Sequence, residues 1–264
     1  MTEPLNVRDW NRNAWDLNVA RGNRWTVPVS TEVIEAARQG EWQIQLTSQR
    51  PVPREWFPQI VDQPVLCLGA AGGQQAPVLA AAGAAITVLD NSPAQLRQDQ
   101  MVADRDGLEI RCLEGDMADL SMLADESFEL VVHPCSNCFV PDVNAVWEEC
   151  FRVLRPGGIL ISGMVNPTCW LFSEEASDTG NLTVTQSLPW ADSDHLNDPD
   201  VKRRMANEQP LEFGHSLQDL IGGQLRAGFQ LTEFYEDGEN DPETPLSQFT
   251  AWMFATRSVR PRVA

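Results

Sequence analysis

A chain of 264 residues is long for one domain and can bury a sizeable core without disulfide or metal staples. Nineteen Lys and Arg against 38 Asp and Glu leave a net charge of −19. That disfavours partners whose affinity depends on neutralised phosphates, namely DNA, RNA and anionic membrane surfaces. With 22% charged and 42% hydrophobic residues the composition is acidic but globular, not that of a disordered tail.

No segment predicts a bilayer span. The longest apolar run, Val78 to Leu89, contains Gly83 and Thr87 and stops at Asp90, short of the ~20 residues a span needs. The start, MTEPLNVRDW, has no basic n-region and no apolar h-region, which predicts no signal peptide. Six cysteines (Cys67, Cys112, Cys135, Cys138, Cys150, Cys169) are too sparse for a disulfide scaffold and point to a reducing cytoplasm. Cys135 and Cys138 form a C-x-x-C, but no second pair follows at zinc spacing, so no metal site is expected.

The chain reads in three zones. Residues 1–60 hold five of the nine tryptophans, Trp10, Trp15, Trp25, Trp42 and Trp56, and predict a helical, Trp-rich cap. Residues 5–20 have helical spacing, and Ser30-Thr31 reads as the N-cap of TEVIEAARQG. Residues 61–165 alternate strand and helix patterns. The predicted strands are PVLCLG, AITVLD, LEIRCLEGD, FELVVH and ILISGMV, and the helices between them include QQAPVLAAAG, a long one from Pro93 to about Arg105, and VNAVWEECFRVL. Strands separated by helices imply parallel βαβ units with both faces of the sheet covered. After 165, residues 173–213 are polar and acidic and read as an irregular insertion whose charges are solvated. SLQDLIGGQLRAGF then reads as a helix, and FQLTEFYED and SQFTAWMFATR as an antiparallel strand pair.

Chemistry is expected at the strand ends. Gly69-Ala70-Ala71-Gly72-Gly73 after the first strand is a turn of small residues that lets a ligand approach the backbone. A dinucleotide fingerprint would need glycine at Ala71 and Gln74, which disfavours an NAD-dependent oxidoreductase. Asp90, ending the second strand, suits ribose hydroxyls, and Asp116-Met117, ending the third, suit an adenine amino group and ring. The fourth strand ends in His133-Pro134-Cys135-Ser136-Asn137-Cys138.

The order of these pieces, together with Leu154-Arg155-Pro156-Gly157-Gly158 before the fifth strand, resembles the class I S-adenosylmethionine-dependent methyltransferases, in particular the small-molecule branch called type 11. The whole-chain pattern, with Asn23-Arg24-Trp25-Thr26-Val27-Pro28 and His133-Pro134-Cys135-Ser136-Asn137, resembles a bacterial subgroup of that branch. The resemblance implies a Rossmann-like α/β fold. Its seven-stranded sheet would be mostly parallel, with helices on both faces and an antiparallel last strand, in a methyltransferase domain from 61 to 264 with a variable insertion at about 166–213. It implies S-adenosylmethionine as cofactor, contacted by Gly69, Ala70, Ala71, Gly73, Asp90, Asn91, Asp116 and Met117, and by His133, Asn137, Arg24 and Trp25. The family's acid two residues before the first glycine is Cys67 here, which leaves the methionine end to a substitute: Arg24 for its carboxylate, Asn137 or a carbonyl near 134–136 for its ammonium.

Activity is then expected to be methyl transfer to a small-molecule acceptor. His133 would be the base where one is used, and Trp15, His133, Asn137 and Trp170 would line the acceptor site. A cofactor-binding protein of the same fold without catalysis is the other reading. No Asn/Asp-Pro-Pro-aromatic signature of nucleic-acid or protein methylation follows the fourth strand, and neither a nucleic acid nor a membrane is expected as partner. The acid excess favours a neutral or cationic acceptor. Oligomeric state has no signal in the sequence.

Overall fold

A computed structural model of the chain describes residues 5–242 and 244–262. In chain order the elements are α1 (Val7–Ala20), α2 (Thr31–Arg38), β1 (Pro64–Leu68), α3 (Gln75–Ala81), β2 (Ala85–Asp90), α4 (Pro93–Asp106), β3 (Ile110–Glu114), β4 (Phe128–His133), α5 (Val143–Val153) and β5 (Leu154–Val165). They continue with α6 (Glu174–Thr179), β6 (Trp190–Ala191), α7 (Pro199–Ala206), β7 (Phe213–Gly214), α8 (Leu217–Leu220), α9 (Gly222–Ala227), β8 (Gln230–Asp237) and β9 (Met253–Val259). Seven strands form one sheet in the order β3-β2-β1-β4-β5-β9-β8. β1 to β5 pair in parallel, and β9 runs antiparallel to both β5 and β8. No described helix is long and apolar enough to cross a membrane.

Local chemistry sets the helix ends. The Ser92 hydroxyl accepts the Gln95 N–H at 3.2 Å, Pro93 opens α4 with its φ pre-set, and Gly107 closes it in the left-handed region at φ 63°. Ser30 occupies the N-cap position of α2, as its sequence suggests, but makes no side-chain capping bond. The helix expected over 216–229 is two, broken at Ile221. A Cβ at Gly223 would lie 2.6 Å from Asn144 Oδ1 and 2.7 Å from Trp147 Cδ1, so Gly223 serves close packing on α5.

Strand parity divides the interior into two layers. Side chains alternate across a strand, so Val65 and Cys67 of β1, Leu130 and Val132 of β4, and Ile159 and Ile161 of β5 face one core. Leu66, Leu68, Val131, Leu160 and Met164 face the other, beneath α5. Ile44, Leu46, Val52, Trp56 and Ile60 join the first core, so packing is continuous across position 60. The insertion is more ordered than expected. β6 pairs with β7, and Trp190, Val201 and Leu211 form a small third cluster against Leu5, Val7 and Trp10.

A buried polar cluster sits in the second layer. Gln224 on α9 is fully buried; its Nε2 donates to the Leu220 carbonyl at 3.1 Å, and its Oε1 accepts from Thr256 Oγ1 at 3.2 Å and Ser258 Oγ at 2.6 Å. Replacement by Leu would strand both hydroxyls of β9 without an acceptor. Gln224→Leu is expected to cost about 2–4 kcal/mol, read as a lowered urea midpoint. An unchanged midpoint would remove the trio from the stability account.

Candidate active site

From β1 the chain crosses to β2 and β3 on one side, and β4 and β5 lie on the other. The carboxyl ends of β1 and β4 therefore diverge, which is where open α/β sheets take ligands. A cavity of about 910 Å³ lies there. Gly69 and Ala71 line it after β1, Asp90 and Asn91 after β2, Asp116 and Met117 after β3, and Pro134 and Ser136 after β4.

The turn after β1 is shaped by close approach. Gly69 has φ +56°, and a Cβ on it would lie 2.6 Å from Ser136 Oγ and 3.1 Å from Met117 Cε. Behind the turn, the buried side chains of α4 hold the backbone. Gly72 N–H donates to Gln95 Oε1 at 3.0 Å and Gly73 N–H to Asp99 Oδ1 at 2.8 Å. Burial pushes the Asp99 carboxyl well above its ordinary value, against the pull of the Gly73 N–H. Gly73 and the buried Ala70 thus face the protein and are not on the described cavity wall, contrary to their expected cofactor contact. Ala71 carries a left-handed φ of 57° where glycine would be unstrained. Ala71→Gly is expected to stabilise the protein by about 1 kcal/mol, which for this size raises Tm by about 2–4 °C. A lowered Tm would contradict the strain.

Both acids reach the wall. Asp90 Oδ1 accepts the Ser92 N–H at 2.8 Å. Burial pushes the Asp90 carboxyl up to about 7; the N–H groups of Ser92 and Asn91 oppose the rise and the nearby Asp16 adds to it. Asn91 is occupied by α1: its Nδ2 donates to the Arg8 carbonyl at 2.8 Å and its Oδ1 accepts from Arg8 Nε at 3.2 Å. Asp116 Oδ1 accepts the Ala118 N–H at 2.9 Å, and its Oδ2 lies 3.9 Å from Arg8 Nε.

Three expected site residues lie elsewhere. His133 shares the parity of Val131 and faces the second core, fully buried with its ring 6.0 Å from that of Trp147. Its Nδ1–H donates to the Leu68 carbonyl at 2.9 Å, and Nε2 has no hydrogen-bond partner among the described residues. Burial lowers its pKa to about 4, against the Leu68 carbonyl, so it is neutral at pH 7 and does not reach the cavity as a base. Asn137 is buried too, its Nδ2 donating to the Gly163 carbonyl at 2.8 Å. The Arg24 guanidinium stacks over the Trp25 ring at 4.7 Å, off the described wall. An imidazole depressed from 6.5 to about 4 binds fewer protons folded than unfolded, so its contribution is complete above 6.5 and is lost as pH falls through that window. His133→Gln is expected to flatten the loss of Tm between pH 6.5 and 4, and an equally steep loss in the variant would refute that assignment.

Trp15, Trp25 and Trp170 do line the cavity. Trp15 meets Phe139 edge-on at 5.1 Å, and the Trp170 ring lies on Gly214, where a Cβ would be 2.7 Å away. Cavity residues that the sequence did not single out include Asn11, Trp190, Asp192, Arg204 and Glu212. Asn11, only 3% exposed, pins α1 in place. Its Nδ2 donates to the carbonyls of Phe139 and Leu211 at 2.9 and 3.0 Å, and its Oδ1 accepts the Leu211 N–H at 2.7 Å. The acidic insertion, expected to be a solvated face, supplies Asp192 and Glu212 to the wall because β6 and β7 fold it back over the strand ends.

This geometry agrees with kinship. A family described as "Methyltransferase domain" matches residues 66–162. A Bacillus subtilis protein named "Uncharacterized methyltransferase YbaJ" is 52% identical over 250 residues, 95% of this chain and 97% of its own length. The chain belongs to the class I S-adenosylmethionine-dependent methyltransferases. The ubiquinone biosynthesis O-methyltransferase of Maricaulis maris is 28% identical over 109 residues, 41% of this chain and 43% of that one. In fold, the chain is similar to an S-adenosylmethionine-dependent methyltransferase from Mesorhizobium loti. The two superpose with a TM-score of 0.62 at 18% identity, over 78% of this chain and 95% of that one.

Proposed function

We propose that this methyltransferase binds S-adenosylmethionine between the turn after β1 and the carboxylates of Asp90 and Asp116, and methylates a small molecule held in the remainder of the same cavity. The observation that carries the reading is the wall itself. A side-chain-free turn at Gly69, packed closely on Ser136 and Met117, lies beside two strand-end carboxylates, and all of them line one aromatic-lined chamber. These residues fit the cofactor. Asp90 accepts hydrogen bonds from ribose hydroxyls, Asp116 accepts from an exocyclic adenine amine, and the Met117 thioether packs on a ring face. Bound there, the cofactor supplies an already activated methyl on a sulfonium, so the chain's own task is alignment and exclusion of water.

The chamber supports a small acceptor. At about 910 Å³ the cavity lies at the upper end of the usual ~300–1,000 Å³ for small-molecule sites, room for a nucleoside-sized group and a modest acceptor together. α1 and the insertion roof it, which suits small acceptors better than polymers. The net charge of −19 weighs the same way against nucleic acid. The relationship to a ubiquinone biosynthesis O-methyltransferase, whose name records a small-molecule pathway, is a further support.

Calorimetry with S-adenosylmethionine, S-adenosylhomocysteine and NAD tests the cofactor, and turnover on an acceptor panel tests catalysis. Because Asp90 ionises only as pH rises through about 7, S-adenosylhomocysteine affinity is expected to rise between pH 6 and 8. Asp90→Asn is expected to abolish that rise and to weaken binding at pH 8 by about tenfold or more, the loss of a charge-assisted pair. A raised carboxyl pKa opposes folding as pH increases from 3.8 to about 7, so the same variant is expected to melt higher at pH 8. Tight NAD binding without any response to S-adenosylhomocysteine would overturn the proposal.

A further inference from the structure

The half of the cavity built by the segments after β4 and β5 and by the insertion has a chemistry of its own. Its rings are Phe139, Trp170, Phe172 and Trp190, joined by Trp252 from the approach to β9. Its ionic side chains on the described wall are Asp192, Asp200, Arg204 and Glu212; Asp200 also pairs with Arg203 at 3.2 Å, so three carboxylates meet two guanidinium groups, and the described wall carries no Lys or His.

The carboxylates are built in rather than loosely arrayed. Asp192 is 3% exposed; its Oδ1 accepts from Trp190 Nε1 at 2.8 Å and its Oδ2 from the Glu212 N–H at 2.9 Å. Arg204 bridges the two acids, with Nε 3.3 Å from Asp192 Oδ2 and Nη1 2.6 Å from Glu212 Oε1. Glu212 lies near enough to Cys135, Cys138 and Cys169 for its charge to help raise all three thiols, after the larger effect of burial. Glu212 immediately precedes β7, which packs on the segments that follow β4 and β5, so it stands at the carboxyl ends of those strands.

Such a wall discriminates by the sign of charge. An amine gains positive charge as its nitrogen is methylated, and both carboxylates and ring faces stabilise that charge. An oxyanion acceptor would instead be repelled as it entered. We propose that the acceptor is an amine-bearing small molecule, whose nitrogen is held by Glu212 and the tryptophan faces of this chamber. The inference rests on the cofactor and small-molecule reading above. In the transfer, the nitrogen lone pair forms the C–N bond as the S–C bond breaks. The nitrogen reacts as the neutral amine, so an acceptor that arrives as ammonium first loses a proton to water. S-adenosylhomocysteine leaves with the sulfur pair, the positive charge passes to nitrogen, and where the methylated nitrogen still carries a proton, that proton leaves to water. His133, buried outside the cavity, takes no part in either proton loss.

The test is a charge series of one shape. Benzyltrimethylammonium, benzyl alcohol and benzoate are titrated by calorimetry into the full-length protein, with and without S-adenosylhomocysteine. The cation is expected to bind about tenfold or more tighter than the other two, the scale of a desolvated cation–π contact. Glu212→Gln and Trp170→Leu are each expected to weaken the cation about fivefold or more and to change benzyl alcohol far less. The proposal falls if benzoate or benzyl alcohol binds as tightly as the cation, or if folded Glu212→Gln binds the cation like the wild type. If neither variant melts cooperatively, the order of the three probes on the wild type decides alone. Failure of S-adenosylhomocysteine to bind counts against the cofactor reading, while the probe series on the protein without it still decides this one.

Discussion

The constraint from which the rest follows is the reversal of strand order between β1 and β4. Helices cover both faces of a parallel sheet, but at the reversal successive crossovers depart in opposite directions and leave the carboxyl ends of two central strands uncovered. Everything distinctive in this chain is arranged about that opening. The turn after β1 enters it, with α4 behind it to take two of its amides. α1 crosses above, held on one side through Arg8 and Asn91 and on the other through Asn11 and Leu211. The insertion folds back to finish the wall.

Two buried carboxylates of neighbouring elements illustrate how environment divides labour. Asp99 is closed against the Gly73 amide, and its work is to fix the backbone. Asp90 is satisfied on one oxygen by Ser92 and lies on the cavity wall, where partial burial holds its charge near balance at neutral pH. The first is architecture and the second is available to a ligand. Their cost, together with a left-handed Ala71, is carried by a core in which Trp147, Leu66, Leu68 and Leu160 are fully buried.

Sequence made the sheet legible because its strands carry apolar runs bounded by glycine and proline, and because the strand ends bear the acids. Asp90 and Asp116 reach the wall where their positions imply. His133 ends its strand two residues after Val131, and alternate residues of a strand share a face, so its ring turns to the second core. Asn137 is polar in sequence, but its depth is set by packing around the Gly163 carbonyl that polarity does not record. What lay beyond reach was the third zone. Asp192, Arg204 and Glu212 are separated by eight to twenty residues with no common period. They meet only because a two-residue strand pair, too short to leave an apolar pattern, turns the insertion inward. Asn11 likewise shows no signal, since its partners are main-chain groups far along the chain.

The position of β9 has a consequence for the life of the molecule outside its native state. A strand at the margin of a sheet exposes one row of unpaired amides and carbonyls when it detaches. β9 lies between β5 and β8, and among the described residues β8 has no other strand beside it. Any opening that releases β9 therefore uncovers β5 and frees β8 together, two adhesive surfaces from one event. The Gln224 clasp on Thr256 and Ser258, whose hydroxyls would turn to the opposite face on a one-residue slip, then matters as a guard against wrong pairing during refolding, when a misplaced seventh strand is the route to aggregates.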